Sequence, residues 1–170
     1  MITIREEQPQ DIKAIHKVNK LAFGQTLEAS LVDKLRQNCD DLLSLVALIQ
    51  NRIVGHILFS PAVIESPQRT IHGMALAPMA VLPEYQLQGI GSKLVQTGIE
   101  NLKKREYPFI IVLGHAEYYP RFGFEPASRS GIRSEWEVSD DVFMILLLNE
   151  SHMKGVSGLA KYRPEFAEAM

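Results

Sequence analysis

Ile12, Ile15, Val18 and Leu21/Ala22 recur at spacings of three and four, which predicts a helix opened by Pro9 and broken by Gly24. A second helix is expected over Leu27 to Gln37, with Leu31, Val32 and Leu35 inward. Ahead of both, Ile2 to Arg5 reads as a short first strand. Leu42 to Ile49 and Ile53 to Ile64 are apolar, strand-like runs separated by Gln50-Asn51-Arg52, where Asn tolerates positive φ, so the two predict a hairpin. Ser66-Pro67-Gln68-Arg69 turns the chain into a further strand, about Ile71 to Val81. Gly91, Leu94, Val95, Gly98 and Leu102 then share one helical face, and two glycines on that face allow a helix to lie close to a sheet. Pro108 ends the connection, and Phe109 to Leu113 is a continuous apolar strand of the kind buried on both faces. Gly114 to Phe122 reads as a loop with a short helix. Gly123-Phe124 leads to another strand, and Val142 to Leu148 is the last long one. The tail from Ser151, with Gly155, Gly158 and Pro164, carries no clear period.

A strand, a helix and a buried strand in succession imply one parallel pair, whereas the hairpins imply antiparallel ones. The expected fold is therefore a layered α/β or α+β domain with a mixed sheet, and 170 residues suit one domain, 1–170.

Composition narrows the class. With 46% hydrophobic residues the chain fills a full core, yet no apolar run approaches the roughly 18 residues of a membrane span. A net charge of −2 argues against nucleic acid or an anionic membrane as partner. One cysteine, Cys39, rules out an internal disulfide and a cysteine zinc cage, and no metal is expected. Met1 to Glu7 has no signal-peptide apolar core, so the expected location is the cytoplasm.

The chemistry concentrates between Met74 and Arg105. Gln86-Leu87-Gln88-Gly89-Ile90-Gly91 joins a strand to a helix, with the Ser92 hydroxyl in the first helical turn. Free N–H groups and the helix dipole converge at such a junction and suit an anion such as a pyrophosphate. An ordinary strand-to-helix turn with glycines for packing has the same local pattern. A Walker loop is excluded because no Gly-Lys-Ser/Thr follows, and a Rossmann fingerprint is absent. Pro78 interrupts an otherwise central strand and calls for a bulge or opened pairing, unless the strand begins after it. His115 to Phe124 follows the buried strand Phe109 to Leu113. The carboxyl ends of parallel strands are where ligands collect in open sheets.

Gln86-x-x-Gly89-x-Gly91, Val81-x-Pro83 before it and Tyr118-Tyr119-Pro120-Arg121-Phe122-Gly123-Phe124 after it resemble the motifs of the GNAT superfamily of acetyl-CoA-dependent N-acetyltransferases. More narrowly, Leu113-Gly114 through Phe124 and the tail around Gly155 to Leu159 and Tyr162 resemble the YhbS-type bacterial acetyltransferases. The resemblance implies a mixed, mostly antiparallel sheet with a splayed parallel pair formed by the fourth and fifth strands, and helices on both faces. It implies acetyl-CoA as cofactor, bound by Met79, Ala80 and Val81 along the strand and by Gln86, Leu87, Gln88, Gly89, Ile90, Gly91 and Ser92 at the pyrophosphate.

The implied reaction is direct transfer of the acetyl group to an amine acceptor. It needs a carbonyl donor, expected to be a backbone N–H near Met79 or Ala80, and an acid for the leaving thiolate, expected to be Tyr119. The base is the departure: some family members carry a Glu on the fourth strand, whereas Met74 to Val81 contains no acid. Glu28 is the preferred base, with Glu117, His115, His72 or an ordered water as alternatives. Cys39 has no partnered histidine, which argues against an acetyl-cysteine route. The missing strand acid leaves a second reading, an acyl-CoA sensor or adaptor without chemistry. The acceptor, a small-molecule or protein amine, is left open: Phe23 to Leu35 and Arg129 to Val138, with Trp136, mix both signs of charge. Assembly is also open, a homodimer included.

Overall fold

The computed structural model describes residues 1–169. The hydrogen-bonded strand order is β1 (Thr3–Glu6), β2 (Leu43–Ile49), β3 (Arg52–Glu65), β4 (Thr70–Val81), β5 (Phe109–Leu113), β8 (Phe143–Leu147) and β6 (Glu125–Pro126), with β9 (Gly158–Lys161) paired to β3 and to β7 (Ile132–Ser134). By compactness the chain divides into two units, Met1–Ser60 with Ala77–Glu100 and Pro164–Met170, and Pro61–Leu76 with Asn101–Arg163.

In the first unit β1 (Thr3–Glu6) pairs antiparallel with β2 (Leu43–Ile49), from Thr3 with Leu48 to Glu6 with Leu45. β2 forms the expected hairpin with β3 (Arg52–Glu65), from Leu43 with Phe59 to Ile49 with Arg52. Both turn residues take positive φ, Gln50 at 51° and Asn51 at 64°, as the twist of a tight hairpin demands. Helix α1 (Ile12–Phe23) follows a 3-10 turn at Pro9–Asp11, and α2 is Leu27–Asn38. The buried stripe of α1 is Ile15, Val18 and Asn19. Leu21, expected inward, is 46% exposed because it lies about 120° round the helix from Ile15, off the centre of that stripe.

β4 (Thr70–Val81) begins well before Pro78, so the alternative of a strand starting after the proline is ruled out. Helix α3 (Ile90–Lys104) is seated on β3 by contacts within the first unit. Ile90, Leu94 and Val95 are buried, and a Cβ on Gly98 would stand 2.3 Å from Cε2 of Phe59. Gly98 is thus where the Phe59 ring meets the helix backbone. That contact fixes the helix whose amino end carries the glycine turn.

In the second unit β5 (Phe109–Leu113) pairs parallel with β4 at Met74–Ile110 and Ala75–Ile111. β8 (Phe143–Leu147) lies antiparallel to β5, from Phe109 with Leu147 to Leu113 with Phe143. β6 (Glu125–Pro126) pairs with the other edge of β8. β7 is Ile132–Ser134 and a short helix α4 is Glu150–Met153. The tail that showed no period supplies β9 (Gly158–Lys161), parallel to β7 and antiparallel to β3 at Val63 to Glu65. Four residues that begin on Gly158 and soon meet Pro164 carry too little pattern for a strand to be read from sequence.

Candidate active site

β4 ends at Val81, a 3-10 turn covers Pro83–Tyr85, and the chain reaches α3 through Gln86 to Gly89. Leu87 takes φ 63° and Gly89 φ 83°. A Cβ at Gly89 would meet nothing within 4 Å, so glycine is needed there for its backbone angle and not for room. Leu87 adopts the same region without that freedom and holds its side chain fully in solvent. Among the described residues, no backbone carbonyl accepts from the N–H groups of Leu87 through Gly91. Further into the helix, Lys93 N–H donates to the Gly89 carbonyl at 3.1 Å. Alternating left-handed residues followed by a helix start aim several unspent donors at one place, which fits a phosphate group in size and sign.

The Gln86 side chain ties the turn to its own strand. Its Nε2 donates to the Val81 carbonyl at 3.0 Å, tying the turn back to the end of β4. Leu82 N–H donates to the Val54 carbonyl at 2.9 Å, and the Arg52 guanidinium lies 5.8 Å over the Tyr85 ring. The turn is therefore braced from β3 and β4 while its donors stay open.

Tyr119 begins a 3-10 turn in the second unit (Tyr119–Phe122), after β5. Only 7% exposed, it packs edge-on against Tyr118 at 5.1 Å and Phe124 at 5.6 Å. A Cβ on Gly114 would stand 2.3 Å from its Cε2, so the ring lies directly on the Gly114 backbone. Burial, and next the neighbouring Tyr118, push the phenol up to about 12. That is a weaker acid than an ordinary tyrosine.

Among the base candidates, Glu28 is half-buried at the start of α2, and Gln25 Nε2 donates to both its carboxylate oxygens at 3.1 and 3.2 Å. His72, His115 and Glu117 are exposed. Trp136 is half-buried beside Tyr162, ring centroids 4.9 Å apart.

Sequence reasoning missed a polar chain in the first unit. His56, on β3, is fully buried. Asn19 Nδ2 lies 3.0 Å from the Ile15 carbonyl and 3.1 Å from His56 Nδ1. Both neighbours accept, so the amide nitrogen faces them and His56 carries its proton on Nε2. Nε2–H then donates to Ser44 Oγ at 2.9 Å, and the hydroxyl donates to Glu7 Oε1 at 2.7 Å. Arg36 closes the chain with a fork to Glu7, Nε to Oε2 at 2.9 Å and Nη2 to Oε1 at 2.8 Å. Burial drives His56 down to about 3. Glu7 is also held below the usual range: burial opposes this, but the bonds from Arg36 and Ser44 outweigh it. The one sequence hint was a histidine on the inward face of an apolar strand.

Residues 3–127 match the acetyltransferase (GNAT) domain, and the chain belongs to that family. It is 32% identical over 164 residues to the uncharacterized N-acetyltransferase YhbS of Escherichia coli K12, covering 96% of this chain and 97% of that one. It is 43% identical over 120 residues to the uncharacterized N-acetyltransferase YjhQ of the same organism, covering 69% of this chain and 66% of YjhQ. The crystal structure of E. coli YhbS with CoA superposes with a TM-score of 0.89 at 31% identity, over 98% of this chain and 92% of that one. A GNAT acetyltransferase from Brucella melitensis with acetyl-CoA gives 0.79 at 30% identity, over 98% of both chains. The family and the mixed sheet with its parallel β4–β5 pair agree with the expectations from sequence.

Proposed function

We propose that the protein is an acetyl-CoA-dependent N-acetyltransferase that moves the acetyl group directly to an amine. The observation that carries this is the turn before α3: Leu87 and Gly89 at left-handed φ and five consecutive N–H groups that, among the described residues, have no backbone acceptor. CoA and acetyl-CoA in the two similar crystal structures support the choice of anion.

In this reading Leu87 to Ser92 hold the diphosphate and Met79 to Val81 line the arm that leads to the thioester. Acetyl-CoA supplies an activated acyl group. A backbone N–H near Met79 or Ala80 polarises the thioester carbonyl, where charge builds as the amine adds. Glu28 takes the proton that the ammonium must lose before attack. Tyr119 is assigned as donor to the departing sulfur, by its match to the family motif. With the phenol at about 12 and a free thiol near 8.5, complete proton transfer is uphill by about 3.5 units, roughly 5 kcal/mol. Tyr119 therefore acts by donating a hydrogen bond to the developing thiolate, and the proton reaches sulfur from solvent.

Purified protein incubated with acetyl-CoA and a panel of amines should release thiol in step with acetylated product. Tyr119→Phe, which removes that hydrogen-bond donor, should lower kcat about a hundredfold with the KM for acetyl-CoA near wild type. Unchanged kcat in that variant would remove Tyr119 from the chemistry. Saturable acetyl-CoA binding with no product from any amine would make the protein an acyl-CoA sensor instead.

A further inference from the structure

The second unit contains a cavity of about 210 Å³ lined by β7, the loop after it, Ser128 and Phe143. Its floor is apolar: Ile132 and Phe143 are buried, and Trp136, half-buried against Tyr162, forms a wall. The acids of this loop differ in what they have left to offer. Glu135 Oε1 accepts the Tyr162 N–H at 2.9 Å, and Asp140 Oδ2 accepts the Ser128 hydroxyl at 2.9 Å. The Ser134 hydroxyl accepts the Trp136 N–H at 3.1 Å. These bonds shape the loop. Glu137 and Arg133 also line the cavity, and among the described residues neither has a hydrogen-bond or ion-pair partner. Either alone is an ordinary solvated charge. Together, on one small cavity with an indole wall, they present an unspent acceptor and an unspent forked donor of opposite sign.

We propose that this cavity binds a zwitterionic amino acid, with Arg133 on its carboxylate, Glu137 on its ammonium, and Trp136 and Phe143 against its side chain. A polyamine would meet Arg133 as a repelling charge, and a simple carboxylic acid would meet Glu137 in the same way. The volume suits one amino acid and is below the usual range for drug-sized ligands. The opposite charges select a ligand carrying both. The identification of this ligand as the acyl acceptor rests on the activity proposed above; the binding site itself does not.

Trp136 is the only tryptophan in the chain, so its emission reports the cavity directly. Non-fluorescent amino acids are titrated into the protein without acetyl-CoA, and each binder is compared with its decarboxylated and deaminated analogues. For leucine these are 3-methylbutylamine and 4-methylpentanoate. At least one amino acid should saturate, and both analogues should bind about tenfold more weakly. Arg133→Gln should erase the preference over the amine, and Glu137→Gln the preference over the acid, with thermal unfolding unchanged in both. No saturation by any amino acid, equal binding of a single-charge analogue, or indifference of both variants would overturn the proposal. Thiol release with the bound amino acid then separates the two readings. Binding without turnover keeps the site and removes it as the acceptor site. Turnover of other amines by a protein that binds no amino acid keeps the activity and overturns the site.

Discussion

His56 makes folding stability depend on pH in a window where few other groups of this protein act. In the unfolded chain a histidine takes a proton near pH 6.5, whereas in the folded protein burial holds His56 neutral down to about 3. The unfolded state therefore binds more protons as pH falls. Stability is full above about pH 6.5 and declines below it until about pH 3. Between pH 7 and pH 5 the loss is about 2 kcal/mol, at 1.36 kcal/mol per pH unit below 6.5. Glu7 and Asp11, both held low in the fold, contribute their own loss only once pH falls toward the usual carboxylate range. Urea unfolding at pH 7 and pH 5 should show the midpoint fall by about 1 M. His56→Gln, which keeps an amide among the same partners, should lose most of that difference whatever its stability at pH 7. The His56 ring resonances should also fail to titrate between pH 7.5 and 5 in folded protein. A wild-type midpoint that stays level from pH 7 to pH 5, or a His56 titration near pH 6.5 in the fold, would refute the reasoning.

Gly98→Ala sets helix propensity against packing: alanine gains about 1 kcal/mol in a helix, but its Cβ would lie 2.3 Å from the Phe59 ring. Displacing that buried ring should cost about 1–3 kcal/mol, so a melting curve should show net destabilisation. Gly114→Ala should force the Tyr119 ring away from its seat at a similar cost, and kcat should fall with it. Arg36→Met leaves the Glu7 carboxylate half-buried with only Ser44 to bond it, and should lower stability by roughly 2 kcal/mol at pH 7. Restoring balance with Glu7→Gln in the same chain should recover part of that loss.

The elements that repeat a strong local pattern were legible. Leu31, Val32 and Leu35 are buried on α2, Leu94 and Val95 on α3, and β5 occupies the apolar run bounded by Pro108 and Gly114. Leu21 shows the limit of periodic reading, since several spacings of three and four are compatible with slightly different buried faces. β9 was illegible because its place depends on partners far along the chain, Val63 to Glu65 on β3. Within the candidate site, the glycine turn was readable from its residues. The brace from Gln86 to Val81, the seat of Tyr119 on Gly114 and the resulting rise of its phenol were not, because each depends on a contact geometry.

By itself the sequence determined the succession of the longer strands and helices, the family and the turn that offers its N–H groups before α3. Those follow from local period, from proline and glycine, and from a short run of residues whose backbone angles are set nearly in place. Only the tertiary structure decided which polar side chains meet. Asn19 and His56 lie 37 positions apart, and Arg36 and Glu7 lie 29 apart. The pairing of such residues depends on strand register and helix rotation together. A change of one residue in strand register turns every side chain to the opposite face, so no local pattern can specify those encounters.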